Sequence, residues 1–416
     1  MSPPSSNALP ATPFFGWRVT WAAFTVAVFG WGVGFYGPPV FLLAVHESRG
    51  WPIWLVSSAI TSHFLLGAFT VANLPALHRR FGVAAVTQAG GILSLAGMLG
   101  WALAPAPWQL FLATAVSGAG WAMTGAAAIN AMVSPWFVRR RPAALSTAYN
   151  GASVGGIILS PLWVIAIGAL GFPWAVALVG SVMAVTLWWL AGRYFSATPA
   201  ALGQSPDGDA AGAVAARPAS RHAPLPGRAM WTNRRFLTLV AGTSLGLFAQ
   251  IGLIAHLFSL MAGPMGPRLA GLAAGLATAC AILGRTGMGW LLTPTADRRI
   301  ASAANYGLQV VGSLVLLASG GSDVVLLLLG VALFGLGLGN STSLPPLIAQ
   351  QDFSAADTAR AVALSTACGQ AAYAFAPAAF GAMRDLFANT DVFFLTAATV
   401  QVLAALAMLA GRQPSR

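Results

Sequence analysis

Arg285 stands in the stretch LATACAILGRTGMGW, about seven residues from the nearer end of an apolar segment long enough to cross a bilayer. At a rise of 1.5 Å per residue, that puts it roughly 10 Å deep. A charge near a bilayer's centre costs at least about 2.5–3.5 kcal/mol, so one that persists there is first read as functional. Its guanidinium is a planar fork matched to a carboxylate. The other reading is that it snorkels to the interface or bonds helix-end carbonyls. His63 and His256 also fall inside apolar segments, where an imidazole either carries a proton or bridges helices as a packing residue. His46, His78 and His222 lie near segment ends or in a polar stretch. Asn130, Asn150, Gln250, Asn305, Gln309, Asn340, Gln370 and Tyr373 are polar within apolar surroundings and either line a cavity or bridge helices. No segment interior carries a carboxylate, since Glu47, Asp323, Asp385 and Asp391 stand at segment ends, so a carboxylate relay is not expected. No metal-ligand spacing, paired acids or activated nucleophile is present, which argues against an enzyme, and no cofactor is called for. Cys280 and Cys368 sit in apolar segments as small packing residues. Lysine is absent, so no phosphate loop with its lysine exists to drive transport with ATP.

The elements that hold these residues follow from composition. Hydrophobic residues make up 57% of the 416 and charged residues only 7%, with a mean hydropathy of +0.75. A typical soluble domain is about 25% charged, so a soluble fold is excluded. Apolar segments fall at 17–45, 53–75, 84–104, 108–133, 143–169, 174–195, 236–262, 269–292, 301–319, 323–346, 359–386 and 390–410. The fold class expected is an all-α membrane protein of twelve transmembrane helices in two six-helix bundles. The 47 glycines suit close helix packing in lipid, and the clusters at Gly118 to Gly125, Gly151 to Gly156 and Gly335 to Gly339 are packing seams. Pro38 with Pro39, and Pro345 with Pro346, are expected to interrupt the first and tenth spans or to cap their ends.

The formal charge of +12 comes from arginine alone, and most of it falls in short segments on one side. Arg79, Arg80, Arg139 to Arg141, Arg193 to Arg235, Arg298, Arg299, Arg360, Arg412 and Arg416 share that side, whereas Arg49, Arg268 and Arg384 face the other. This asymmetry places both termini and the central linker in the cytoplasm of a multi-pass cell-membrane protein, a bacterial inner membrane being the expected setting. No aromatic platform accompanies the basic runs, so nucleic acid is not a partner. The N-terminus is polar and Pro-rich without the charged start of a cleaved signal peptide. The chain divides into a tail (1–16), a first bundle (17–195), a linker rich in Pro, Gly, Ser and Asp (196–235), a second bundle (236–410) and a short tail (411–416). An internal repeat relates the bundles: Phe137, Gly151 and Pro161 answer to Phe353, Gly369 and Pro377, with 24 residues from Phe to Pro in each. RRFG after the second segment and ADRR after the eighth form a second matching pair.

From Trp17 to about Gly411 the chain resembles the major facilitator superfamily, most specifically in WFVRRRPAALSTAYNGASVGG at the entry to span 5. Gly50, Trp51 and Pro52, and the RRFG after span 2, are similar to its monocarboxylate and oxalate–formate branch. Arg285 with Gly289 resembles helix 8 of monocarboxylate carriers, where the arginine receives the substrate's carboxylate. The resemblance implies a cavity lined by helices 1, 4, 7 and 10 with 2, 5, 8 and 11. Arg285, Tyr36, Asn150, Gln250, His256, Asn340, Gln370 and Tyr373 become the candidate binding residues, and His63, Arg79 and Arg80 the candidates for coupling or gating. Two departures stand out: Arg79 replaces the family's Asp in the loop after helix 2, and Ala281 stands where the family has an Asp one turn before the helix 8 arginine. Proton coupling through such a pair is therefore not expected. The expected function is secondary transport of a small organic anion, a monocarboxylate above all, by a monomer in the bilayer. A proton would move with it, or another anion would be exchanged for it. Export of amphiphilic drugs or metabolites, which the 15 Trp and 23 Phe favour, and a non-transporting sensor are the alternatives.

Overall fold

Hydrocarbon offers no water to bond a backbone amide, so a chain this apolar crosses it as helices or as a closed barrel. The helical route is taken, and no strand occurs among the described residues. The computed structural model describes residues 13–209, 223–293, 295–387 and 391–412. Most of the N-terminal tail, the middle of the linker with His222, and the end of the C-terminal tail lie outside the described residues.

Among the described residues, twelve spans form two six-helix bundles. The first span is built from α1 (Gly16–Gly34) and α2 (Gly37–Arg49), and α3 (Ile53–Leu103) carries the second and third. The fourth is α4 (Pro107–Ala122) with α5 (Ala126–Val133), the fifth α6 (Arg141–Leu170) and the sixth α7 (Phe172–Leu190). In the second bundle α8 (Arg234–Leu291) carries the seventh and eighth, and α9 (Arg298–Ala318) the ninth. Next come α10 (Val324–Leu338) with α11 (Asn340–Asp352), α12 (Ala355–Tyr373) with α13 (Ala376–Leu386), and finally α14 (Asp391–Ala410). The two long helices each turn a corner at one glycine, Gly82 (φ 81°, ψ 159°) and Gly266 (φ 77°, ψ 162°). That conformation is closed to residues with a Cβ, which is why glycine stands at both corners.

Both proline-bearing spans are interrupted, each a few residues ahead of its prolines. In span 1 the break falls at Phe35 and Tyr36, and Pro38 and Pro39 sit in the first turn of α2, where a missing N–H costs nothing. In span 10 the break is at Gly339, while Pro345 and Pro346 lie within α11. The glycine clusters do act as seams: a Cβ on Gly151 or Gly155 would run into the Phe24 or Val28 carbonyl of α1, and one on Gly284 into the Leu336 carbonyl of α10.

The first and last described residues share one face. There Arg299, only 2% exposed, bonds Asp352 (2.7 Å), Thr238 (3.1 Å) and the Met408 and Arg235 carbonyls (3.2 and 2.7 Å), tying spans 7, 9, 10 and 12 together. The described ends of the linker dock on that face. Asp207 accepts the backbone N–H groups of Val138, Arg139 and Arg140 at 3.1, 2.8 and 3.1 Å, and Asp357 accepts that of Leu225 at 2.9 Å.

Candidate functional site

Arg285 sits in the part of α8 that packs on α6, where the two bundles meet, and is 4% exposed. Its Nε donates to the Gly339 carbonyl at 2.8 Å. Its Nη1 donates to the Tyr149 carbonyl at 2.7 Å and to Asn150 Oδ1 at 3.1 Å, with Ser153 Oγ at 3.5 Å. Gly339 belongs to the second bundle and the other three to the first, so the guanidinium is gripped from both. The Gly339 carbonyl is available because span 10 breaks there and leaves it outside the regular helix ladder. Asn150 is held in turn, its Nδ2 donating to Thr286 Oγ1 at 2.7 Å, and Ser146 Oγ donates to the Arg285 carbonyl at 2.6 Å. Gly289, one turn on, lets α6 approach, since a Cβ there would press on Ser146 and the Pro142 carbonyl.

A guanidinium has five N–H donors, and three of them are occupied here. Among the described residues Nη2 has no hydrogen-bond partner and no carboxylate pairs with Arg285. The ion pairs described are Arg139–Asp209, Arg299–Asp352 and Arg412–Asp297. A buried cation held only by neutral groups thus presents two unused donors. Tyr36 lies within electrostatic reach of Arg285, and its hydroxyl makes no hydrogen bond among the described residues.

Arg285, Tyr36 and Asn150 are therefore brought together, and the other binding candidates and His63 have structural partners. Gln250 donates to the Leu338 carbonyl at 3.3 Å and accepts from Ser341 at 2.6 Å. Asn340 donates to Asn305 Oδ1 at 2.9 Å, and Asn305 and Gln309 both reach the Gly337 carbonyl. His63 contacts the Gly34 carbonyl (3.0 Å) and Ser117 Oγ (2.9 Å) beside a small void inside the first bundle. His256 contacts the Pro377 carbonyl at 3.1 Å. Gln370 donates across the bundles to the Phe64 carbonyl at 2.8 Å, and Tyr373 packs on Phe35 and Phe64. Arg79 and Arg80 are exposed at the Gly82 corner, Arg80 lying over the Phe81 ring, and neither makes a hydrogen bond or ion pair among the described residues. Tyr149, Ser153 and Thr286 were not singled out in the sequence. Ser153, three residues after Asn150 and so on the same helix face, was findable from spacing; a backbone carbonyl such as that of Tyr149 carries no side-chain signal.

The model of the Major Facilitator Superfamily matches residues 22–377. Among curated proteins, monocarboxylate transporter 13 of Bos taurus is 31% identical over 164 residues, 38% of this chain and 37% of that protein. Monocarboxylate transporter 11 of Mus musculus is 30% identical over 173 residues, 40% of this chain and 37% of that protein. These matches span little more than a third of each relative's length. The E. coli fucose:proton symporter shares the fold, with a TM-score of 0.68 at 14% identity over 96% of this chain and 100% of that one. A second structure of that transporter, in the outward conformation, gives 0.67 at 13% identity. A family model that spans most of the chain, on a matching twelve-helix fold, makes this protein a member of the Major Facilitator Superfamily.

Proposed function

We propose that this transporter carries a small organic monoanion, a monocarboxylate, with Arg285 receiving the carboxylate. The two bundles, residues 17–195 and 236–410, rock about the site by alternating access. The observation that carries the reading is the buried Arg285 guanidinium, fixed by neutral acceptors from both bundles and left with Nη2 unused. A single uncompensated positive charge calls for one negative charge, and a carboxylate matches the fork. The names of the relatives point to the same cargo. Ala281, one turn before Arg285, supplies no titratable partner, so the carrier exchanges anions rather than moving a proton with each one. The arginine-rich face that bears both chain ends faces the cytoplasm of a bacterial inner membrane, and a monomer suffices.

Uptake of radiolabelled acetate, lactate, pyruvate and benzoate into proteoliposomes tests the reading. Saturable counterflow is expected for at least one of them, abolished in Arg285→Ala and weakened about tenfold or more in Arg285→Lys, which lacks the planar fork. Unchanged counterflow in Arg285→Ala would remove the clamp. Absence of flux for every carboxylate would remove the cargo class.

A further inference from the structure

Beyond Arg285, aromatic rings from both bundles adjoin the site. Phe35 stands at the break of span 1, Phe64 in the second span, Trp121 near the end of α4, and Tyr373 at the end of α12. Phe35 stacks on Trp121 (centroids 6.4 Å apart, 29° between planes), and Phe64 meets Trp121 edge-on at 5.4 Å. Tyr373, from the opposite bundle, meets Phe35 at 6.2 Å and Phe64 at 5.6 Å, both edge-on. Tyr36 packs edge-on against Phe35 at 5.1 Å and lies within electrostatic reach of Arg285, so the cationic and aromatic surfaces are continuous. Phe35, Tyr36 and Phe64 are only half-buried, which leaves ring surface for a guest.

The second observation is polar. Trp121 is 5% exposed, and its indole Nε1–H is buried with no partner among the described residues. A buried indole N–H normally finds an acceptor, and leaving one without is unfavourable. The pyrrole edge of this indole lies against Gly34, where α1 ends beside Phe35 and Tyr36. The orphan donor therefore sits at the break of span 1, on the aromatic side of the site.

Resting on the carboxylate reading above, we infer that the preferred cargo is an aromatic monocarboxylate with a hydrogen-bond acceptor on its ring. The carboxylate takes Arg285 Nη2, the ring lies against Phe35, Phe64 and Tyr373, and the acceptor takes the Trp121 N–H. A short aliphatic acid meets the arginine alone and leaves both the rings and the indole donor unmatched.

Binding to the purified full-length chain, read by calorimetry and thermal shift, tests this with acetate, cyclohexylacetate, phenylacetate, 4-hydroxyphenylacetate and the neutral phenylacetamide. Phenylacetate is expected to bind about tenfold or more tighter than acetate, and more tightly than cyclohexylacetate. The 4-hydroxyl should add about three- to tenfold more. Trp121→Phe should erase that last increment and leave phenylacetate within about twofold. Phe64→Leu, or Tyr373→Leu should the first fold poorly, should weaken the aryl acids and spare acetate. Three results would each overturn the inference and leave the carboxylate reading standing: acetate binding as tightly as phenylacetate, cyclohexylacetate matching phenylacetate, or the hydroxyl increment surviving Trp121→Phe. Phenylacetamide binding as well as phenylacetate would instead take down the Arg285 reading, and this inference with it.

Discussion

Most polar side chains inside the spans answer to a backbone need. Where span 10 breaks at Gly339, the Leu338 carbonyl takes Gln250, the Gly337 carbonyl takes Asn305 and Gln309, and the Gly339 carbonyl takes Arg285. At the break of span 1, the Gly34 carbonyl faces His63 and the Gly32 carbonyl takes the Trp163 indole N–H. Carbonyls exposed by a helix break must find donors in hydrocarbon, and the Gly339 carbonyl also takes Thr342 Oγ1 at 3.1 Å. Gln250→Leu should therefore lower stability by about 1–3 kcal/mol, because it orphans the Leu338 carbonyl and strips Ser341 of its acceptor. Carboxylate affinity should stay within about twofold of wild type; thermal unfolding and calorimetry on the same preparations separate the two effects. Asn150→Ala should do the reverse, weakening the carboxylate several-fold by freeing Nη1 from its fixed direction, with a smaller change in melting temperature. Arg285 was legible in the sequence because a charge at that depth is costly. The structural duty of Gln250, Asn340 and His63 was legible only as one of two readings, because which carbonyls need donors depends on where the spans break, at Gly339 and after Gly34.

At the scale of elements, helix starts on the chain-end face are set by short polar residues. Ser354 caps α12, its Oγ accepting the Asp357 N–H at 3.2 Å and donating to the Asp357 carboxylate at 2.6 Å, so cap and third residue hold each other. Asp297 caps α9 by accepting the N–H groups of Arg299 and Ile300 at 2.9 and 3.2 Å, and it also pairs with Arg412 at 2.8 Å. Partial burial pushes the Asp297 carboxyl up, but Arg412 and the two amides outweigh it and hold the group below its ordinary value. A depressed folded-state pKa stabilises the fold above the unfolded-state value, and that stabilisation is lost as pH falls through the folded value. Asp297→Asn, which keeps the cap, should cost at most about 0.5 kcal/mol, because the ion pair is partly exposed. Asp297→Ala should cost about 1 kcal/mol, and melting curves should show wild type converging on the asparagine variant in acid. The repeat was legible at this scale, from Phe137 to Pro161 and from Phe353 to Pro377. Its consequence was not: the linker, whose composition reads as loose chain, docks Asp207 just after Phe137 and Leu225 just after Phe353, at equivalent places on the two bundles.

For the whole molecule, the bundles are joined on the chain-end face by Gln350. It donates to Asn130 and Ser134 at 3.1 Å each and accepts from Arg141 at 3.2 Å. In the alternating-access cycle proposed above, these contacts part when that face opens, whereas Arg285 stays between the bundles and is released by one of them. In the empty carrier, leaving Tyr149 and Asn150 or leaving Gly339 strips a buried cation of neutral partners with nothing to replace them. With a carboxylate on Nη2, the charge is met throughout. At about 2.5 kcal/mol for a poorly compensated charge in the bilayer, the empty carrier should turn over roughly 10–100-fold more slowly than the loaded one. Counterflow in proteoliposomes should thus exceed net efflux by that ratio, and collapsing a pH gradient with an ionophore should change neither. Ser153→Asp would place a carboxylate beside Nη1, where Ser153 Oγ stands at 3.5 Å. That internal counter-charge should speed net efflux toward the exchange rate while weakening the substrate anion in competition for the guanidinium. Net efflux already equal to exchange in the wild type would mean that the uncompensated arginine does not limit the empty carrier, and the exchange reading would fall with it.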